Sequence, residues 1–300
     1  MDAPDSADFT VCTHHLPLRV PIVLPCAALK SETMSDIDFS RYVAVGDSQT
    51  EGLWDGDDTI GVMGFADRLA AMLDALYPGL MYANLAVRGR RVIDVLENQL
   101  PHALAMEPDL VTVCIGMNDV TRPGRAFTRA LADLDEVYRR LAESRATVVT
   151  TLFPDVAKML PVGRLIGDRI QQINGITALA AGRYGFGLVD LYRAPSMSEA
   201  PNWSHDRMHA STRGHILFAE AAAEALNLPG SNHDWAHATE GLAEANKWER
   251  IYAQAQWTRG LLIPWLWRHL RGRSSGDGRE PKYGMLQPVS EQVREAHHSA

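Results

Sequence analysis

Only three cysteines occur in the 300 residues: Cys12, Cys26 and Cys114. Three scattered thiols cannot build a disulfide framework or a cysteine-rich zinc site. A reducing compartment, the cytoplasm, is therefore the expected location. No apolar run reaches the roughly 18 residues that a membrane-spanning helix needs. There is no His-Glu-x-x-His pair and no Cys/His cluster, so metal catalysis is not expected. There is no Gly-x-x-x-x-Gly-Lys loop, so nucleoside triphosphate hydrolysis is not expected either. Neither a metal nor a cofactor is called for. Basic residues are outnumbered, 29 Lys and Arg against 37 Asp and Glu, for a net charge of −8. That balance speaks against a nucleic-acid partner. Internal repeats are absent.

What is present is ordinary for a globular chain: 46% hydrophobic and 22% charged residues. The length suits one α/β domain with appendages. Residues 1–38 read as a poorly ordered leader. Their apolar part is broken by Pro17, Arg19, Pro21 and Pro25, and their first ten residues carry Asp2, Asp5 and Asp8 without a basic residue. A secretory signal has the opposite order, a basic start and then an unbroken apolar core. Met34, before Ser-Asp-Ile-Asp, is the expected translation start.

From Arg41 the pattern alternates. Tyr42–Val45 reads as a buried strand that ends on Gly46-Asp47-Ser48. Leu53–Thr59 is acidic and loop-like, around Trp54. Val62, Phe65, Leu69, Met72, Leu73 and Leu76 share one helical face, and Pro78-Gly79 ends that helix. Strand Met81–Val87 runs into Arg88-Gly89-Arg90. A helix follows over Val92–Met106, with Pro101 as a break or kink. Strand Leu110–Ile115 is almost wholly apolar, as a central parallel strand would be, and it ends on Gly116-Met117-Asn118-Asp119. Helices over 127–144, 163–184 and 213–226 alternate with strands over 147–152 and 187–190. Ser211 or Thr212 caps the last helix. Alternation of this kind predicts a doubly wound parallel α/β sheet with helices on both faces, spanning residues 39–228.

All strands of a parallel sheet point their carboxyl ends at one rim, where such folds build their sites. Ser48, Gly89 and Asn118 follow strand ends, and Asp206-Arg-Met-His209 lies in the loop before the last helix. Ser48 offers a hydroxyl nucleophile that needs a neighbouring base. His209 can be that base, and Asp206, three residues earlier, can fix its tautomer. Ser48 N–H, Gly89 N–H and the Asn118 amide are candidate donors to an oxyanion. Each also has a plainer reading. Gly-Asp-Ser and Gly89 on their own are turn residues, and Asp119 reads as a cap for the next segment. His205 and His215 flank the motif, and His205 could shape a substrate mouth. Thr50 stands where the nucleophile elbow of lipase-type α/β-hydrolases has glycine, which excludes that motif.

The blocks Gly46-Asp47-Ser48, Gly89, Gly116-Met117-Asn118-Asp119 and Asp206-Arg207-Met208-His209 resemble, in order, the four blocks of the SGNH (GDSL-type) hydrolases. The resemblance covers the whole core. It implies a flavodoxin-like sheet and hydrolysis of carboxylic esters through an acyl-serine. Within it, Ser48 is nucleophile, Ser48, Gly89 and Asn118 form the oxyanion hole, and Asp206 and His209 complete a triad. Gln49 departs from the family, which has Leu there, and altered shaping of the pocket is the expected consequence. A small-molecule ester or acylated compound is the expected partner. Removal of O-acetyl groups from a carbohydrate, and a catalytically idle binding domain, are the alternatives.

From Pro229 the composition changes. Residues 229–273 read as a helical appendage starting near Asp234. Residues 247–282 hold eight Lys and Arg against three Asp and Glu, and four of the seven tryptophans. An accessory helix on the core is one expectation. Peripheral contact of residues 247–273 with an anionic membrane surface is the other. Residues 274–300, rich in Gly, Ser and charge, read as a disordered tail. Oligomeric state is left open.

Overall fold

The computed structural model describes residues 38–59, 61–156, 163–241 and 276–298. The expected leader and Met34 start, and the basic-aromatic stretch 247–273, lie outside these residues.

Strand β1 (Arg41–Gly46) is buried at every position after Arg41. It pairs in parallel with β4 (Met81–Asn84) on one side and with β5 (Leu110–Cys114) on the other. β5 is buried throughout. Beyond it lie β6 (Thr147–Leu152) and β7 (Gly187–Asp190), also parallel. The order β4-β1-β5-β6-β7 has a reversal built in. The chain steps from β1 to β4 in one direction, then crosses back to place β5 on the other side of β1. Flanking connections diverge at such a switch point, and a crevice opens at the strand carboxyl ends. Ser48 follows β1 and Asn118 follows β5, so the topology alone puts both at that crevice.

Two helix groups cover the sheet, as a parallel sheet buried on both faces requires. α2 (Phe65–Leu76) packs on α7 (Thr212–Ala225), with Phe65 stacked on Phe218 at 3.8 Å between ring centroids. α5 (Gly124–Ala142) packs with α6 (Gly163–Tyr184) and α3 (Val92–Asp94). Ser211 caps α7, its hydroxyl accepting from the Gly214 N–H at 3.2 Å.

Four expectations need correction. The helix expected over 92–106 is interrupted by a π-helical stretch, Val95–Gln99, before α4 (Leu100–Ala105). Pro101 has no N–H to give, and the turn widens just before it, with Leu100 N–H reaching back to Val95 O. The acidic segment after Gly52 carries a small hairpin, β2 (Gly56–Asp57) with β3 (Gly61–Val62). No helix begins at Asp234 among the residues described there. A single 3-10 turn, Asp234–Ala236, is pinned by the buried Trp235.

The largest correction concerns the C-terminus, which is ordered over 276–298. β8 (Tyr283–Pro288) adds to the sheet antiparallel to β4, covering what would be an open edge. α8 (Glu291–His298) packs on α2, with Val289 and Val293 buried. Few apolar residues are used; charge does the anchoring. Lys282 Nζ donates to Glu51 O at 2.6 Å, to Val62 O at 3.0 Å and to Asp67 Oδ2 at 2.5 Å. Arg279 pairs with Asp58, and Arg294 with Asp74 at 2.7 Å. Composition signalled disorder because it cannot see partners more than 200 residues away.

Asp67 is fully buried, and removing Lys282 takes away its cationic partner, leaving the Gly64 N–H and the Tyr82 hydroxyl as donors. We expect Lys282→Met to lose about 3 kcal/mol in urea unfolding. A loss below about 1 kcal/mol would mean that the tail is tethered elsewhere.

Candidate active site

β1 delivers Ser48 through a constrained turn. Gly46 has φ +154°, and a Cβ there would lie 2.4 Å from Cys114 O and 2.4 Å from Thr50 Oγ1. The Gln99 side chain pins the same residue, accepting from Gly46 N–H at 2.8 Å and donating to Gly46 O at 2.9 Å. The chain then enters α1 (Ser48–Glu51), whose cap is the Asp47 carboxylate, accepting from Gln49 N–H. Ser48 is the first residue of this short helix and is nearly buried.

The loop before α7 brings the other two groups. His209 Nε2 lies 2.7 Å from Ser48 Oγ, and His209 Nδ1 lies 2.7 Å from Asp206 Oδ2. Three groups from residues 48, 206 and 209 thus stand in one hydrogen-bonded row. A neutral imidazole donating from Nδ1 to the carboxylate leaves Nε2 free to accept the serine proton. Asp206 is richly solvated by protein donors. Its Oδ1 accepts from Ser204 Oγ at 2.8 Å, Met208 N–H at 2.9 Å and His209 N–H at 3.0 Å, and its Oδ2 accepts from Trp54 Nε1 at 2.6 Å. Burial pushes this carboxyl up, but the His209 ring and these donors outweigh it and hold it well below the usual range.

Gly89 and Asn118 occupy the same rim. Gly89 has φ +78° and is fixed through its neighbours. Arg88 donates its N–H to Glu51 Oε2 at 2.6 Å, and its guanidinium pairs with Glu51 at 2.9 Å. On the other side, Arg90 O accepts from Asn118 Nδ2 at 2.9 Å. Asn118 Nδ2 also donates to Asp47 Oδ2 at 3.0 Å. Asp119 does not cap the segment after it, as expected, but accepts from Val92 N–H at 3.0 Å at the start of α3, an earlier element of the chain.

His205 meets the Trp54 ring edge-on at 4.2 Å. His215 is buried under α2, accepting from Phe65 N–H at 3.2 Å, and takes no part in the row. A cleft of about 840 Å³ lined by Arg41, Pro108, Asp109 and Arg145 is remote from all of these. It lies where β1, β5 and β6 begin, the opposite rim of the sheet.

The model of the GDSL-like lipase/acylhydrolase family matches residues 44–217. The chain belongs to that family. Among curated proteins, an acetylxylan esterase of Geobacillus stearothermophilus is 24% identical over 206 residues, covering 60% of this chain and 91% of its own length. Among solved structures, LAE5, an α/β hydrolase from the metagenome of Lake Arreo, Spain, superposes with a TM-score of 0.53. It is 24% identical and covers 63% of this chain and 95% of its own. The acetylxylan esterase Axe2 of Geobacillus stearothermophilus gives a TM-score of 0.51 at 19% identity, covering 68% of this chain and 100% of its own. A protein described as a GDSL-like lipase, from Parabacteroides merdae, gives 0.53 at 20% identity, with coverages of 63% and 96%.

As a member of this family the chain is an ester-bond hydrolase. The two residues that sequence reasoning undervalued are Gln49 and Trp54. Gln49 brackets His209: its Nε2 donates to Met208 O at 2.9 Å, and its Oε1 accepts from Ala210 N–H at 3.2 Å. The residue beside Ser48 therefore holds the backbone on both sides of His209. A leucine there could hold neither. Its departure from the family pattern was the available signal, but the expected change of pocket shape misses this cross-link. Trp54 gave no signal beyond an aromatic in an acidic loop.

Burial raises the Asp47 carboxyl to about 7, against the opposing Gln49 N–H and the nearby His209, with Asp119 adding to the rise. Its unfolded value is near 3.8. Between those values the unfolded chain binds fewer protons than the folded one, so this group makes stability fall as pH rises from about 4 to about 7. In an Asp47→Asn variant that decline is removed. The urea midpoint of the variant should gain on that of the wild type across this window and then run parallel. A pH-independent difference would contradict the buried, proton-holding carboxyl.

Proposed function

We propose that Ser48 is the nucleophile of ester hydrolysis, His209 its general base and Asp206 the group that orients and stabilises the imidazolium. The Ser48 hydroxyl gives its proton to His209 Nε2 as the oxygen attacks the ester carbonyl. His209 then returns that proton to the leaving alcohol, and acyl-Ser48 remains. A water, deprotonated in the same way, releases the acid. The observation that carries this assignment is the unbroken row Ser48 Oγ, His209 Nε2, His209 Nδ1, Asp206 Oδ2, with both links at 2.7 Å. A binding domain without catalysis has no need of that row.

The backbone N–H groups of Ser48 and Gly89 and the amide of Asn118 are our candidates for holding the tetrahedral oxyanion. Both Asn118 N–H groups already have acceptors, Asp47 and Arg90 O. An arriving oxyanion takes over one of them. The clamps on Arg88 and Arg90 support Gly89 as a fixed rather than a searching donor.

For substrate, an ester of a small acylated molecule follows from the family. The acetylxylan esterase relative supports a narrower reading, removal of O-acetyl groups from a carbohydrate. The test is a panel of p-nitrophenyl esters of increasing chain length together with acetylated xylo-oligosaccharides. A deacetylase favours acetyl over longer acyl groups and releases acetate from the oligosaccharide. Preference for long chains would instead favour a lipid-like substrate. In either case Ser48→Ala removes turnover, and Asn118→Ala lowers kcat by about 10²–10³-fold.

A further inference from the structure

Trp54 combines three features that a loop tryptophan has no structural reason to combine. Its backbone is left-handed, φ +76°, a conformation costly for a bulky side chain. The residue is 42% exposed. Yet its indole N–H is aimed inward, at Asp206 Oδ2, 2.6 Å away. That oxygen is the one that His209 Nδ1 also reaches. Two N–H donors therefore share a single carboxylate oxygen, one of them from the base.

The tryptophan is also held rigidly from behind. The next residue, Asp55, is buried, accepts from Thr212 Oγ1 at 2.7 Å and pairs with Arg68 at 2.7 Å. Asp55 O accepts from Met63 N–H, and Asp55 N–H bonds Gly52 O. Thr212 opens α7, immediately after the loop that carries Asp206 and His209. The Trp54 loop is thus tied to the same helix that ends the Asp206–His209 loop. An exposed side chain under backbone strain and fixed at its base has been placed for its N–H.

We propose that Trp54 is a positioning residue for hydrolysis: its indole N–H fixes Asp206 Oδ2 and limits how much of that oxygen's charge reaches His209. The proposal rests on the assignment of Ser48, Asp206 and His209 given above. Three donors on Oδ1 keep the carboxylate in place without the indole, but its Oδ2 would be less closely fixed and a stronger partner for the imidazolium. Also facing this row are Ser48 on Nε2, Ser204 Oγ and the Met208 and His209 N–H groups on Asp206 Oδ1, the buried Asp47 carboxyl close to His209, and His205 against the Trp54 ring.

The test compares wild type with Trp54→Phe and with Trp54 replaced by benzothienylalanine, which keeps the ring shape and exchanges the N–H for sulfur. The substrate is p-nitrophenyl acetate. We expect kcat to fall about tenfold with KM little changed. The acid limb of the pH–kcat profile should move to higher pH by about half a unit or more. Thermal unfolding of the benzothienylalanine protein should match wild type. An unchanged acid limb and kcat in that protein would overturn the proposal, and so would a loss confined to KM. Failure of the underlying assignment looks different: the wild type would then keep its activity in Ser48→Ala or Asp206→Asn.

Discussion

The parallel pairing of β1 between β4 and β5 is the constraint from which the rest follows. Its register brings Gly46 opposite Cys114, so both strands end at the same level. The turn after β1 and the turn after β5 then open side by side at the point where the strand order reverses. There is no room in that geometry for a side chain at residue 46, because Cys114 O and Thr50 Oγ1 already occupy the space. Gln99 fixes the same residue from the π-helical turn. Ser48 is thereby placed before any catalytic partner is considered. The topology supplies position, and later elements supply chemistry.

Those later elements are joined to α1 by polar cross-links rather than by packing. Gln49 holds the His209 backbone. Glu51 holds Arg88 and so the turn that contains Gly89. Asn84 Nδ2 donates to Thr50 O, joining β4 to the same helix. Lys282, just before the added strand, caps Glu51 O and neutralises Asp67. A four-residue helix has little stability of its own. Here each of its residues has a partner from a different part of the chain. Thr50 Oγ1 is buried without a hydrogen-bond partner among the described residues, but the other cross-links are made, and such a polar network defines one arrangement sharply.

Legibility in the sequence followed the range of the interactions. β1, β5, β6 and β7 were readable because apolar runs of strand length bounded by Gly or Pro have few other solutions. The helix expected over 163–184 is also present. Strand polarity pointed the segments of Ser48, Gly89 and Asn118 to one rim, and the Asp-x-x-His spacing singled out Asp206 and His209; the structure brings Ser48, His209 and Asp206 into one row. The hairpin at Gly56–Val62 was not, since two-residue strands leave no pattern. Nor was β8. Its partner strand lies 200 residues earlier, and its anchors Arg279, Lys282 and Arg294 look like ordinary surface charge. Gln49 and Trp54 were visible as residues but not as contacts. Only coordinates show that one amide spans His209 and that one indole shares its carboxylate.

The central claim is that Ser48 Oγ is made reactive by the row ending at Asp206. Mass mapping of the protein after brief exposure to a fluorophosphonate tests it most directly, with activity followed in parallel. The account predicts a single adduct on Ser48, formed in proportion to the activity lost, and much slower adduct formation in His209→Ala. Inactivation with the adduct on another residue, or equal labelling of Ser48 with and without His209, would contradict it.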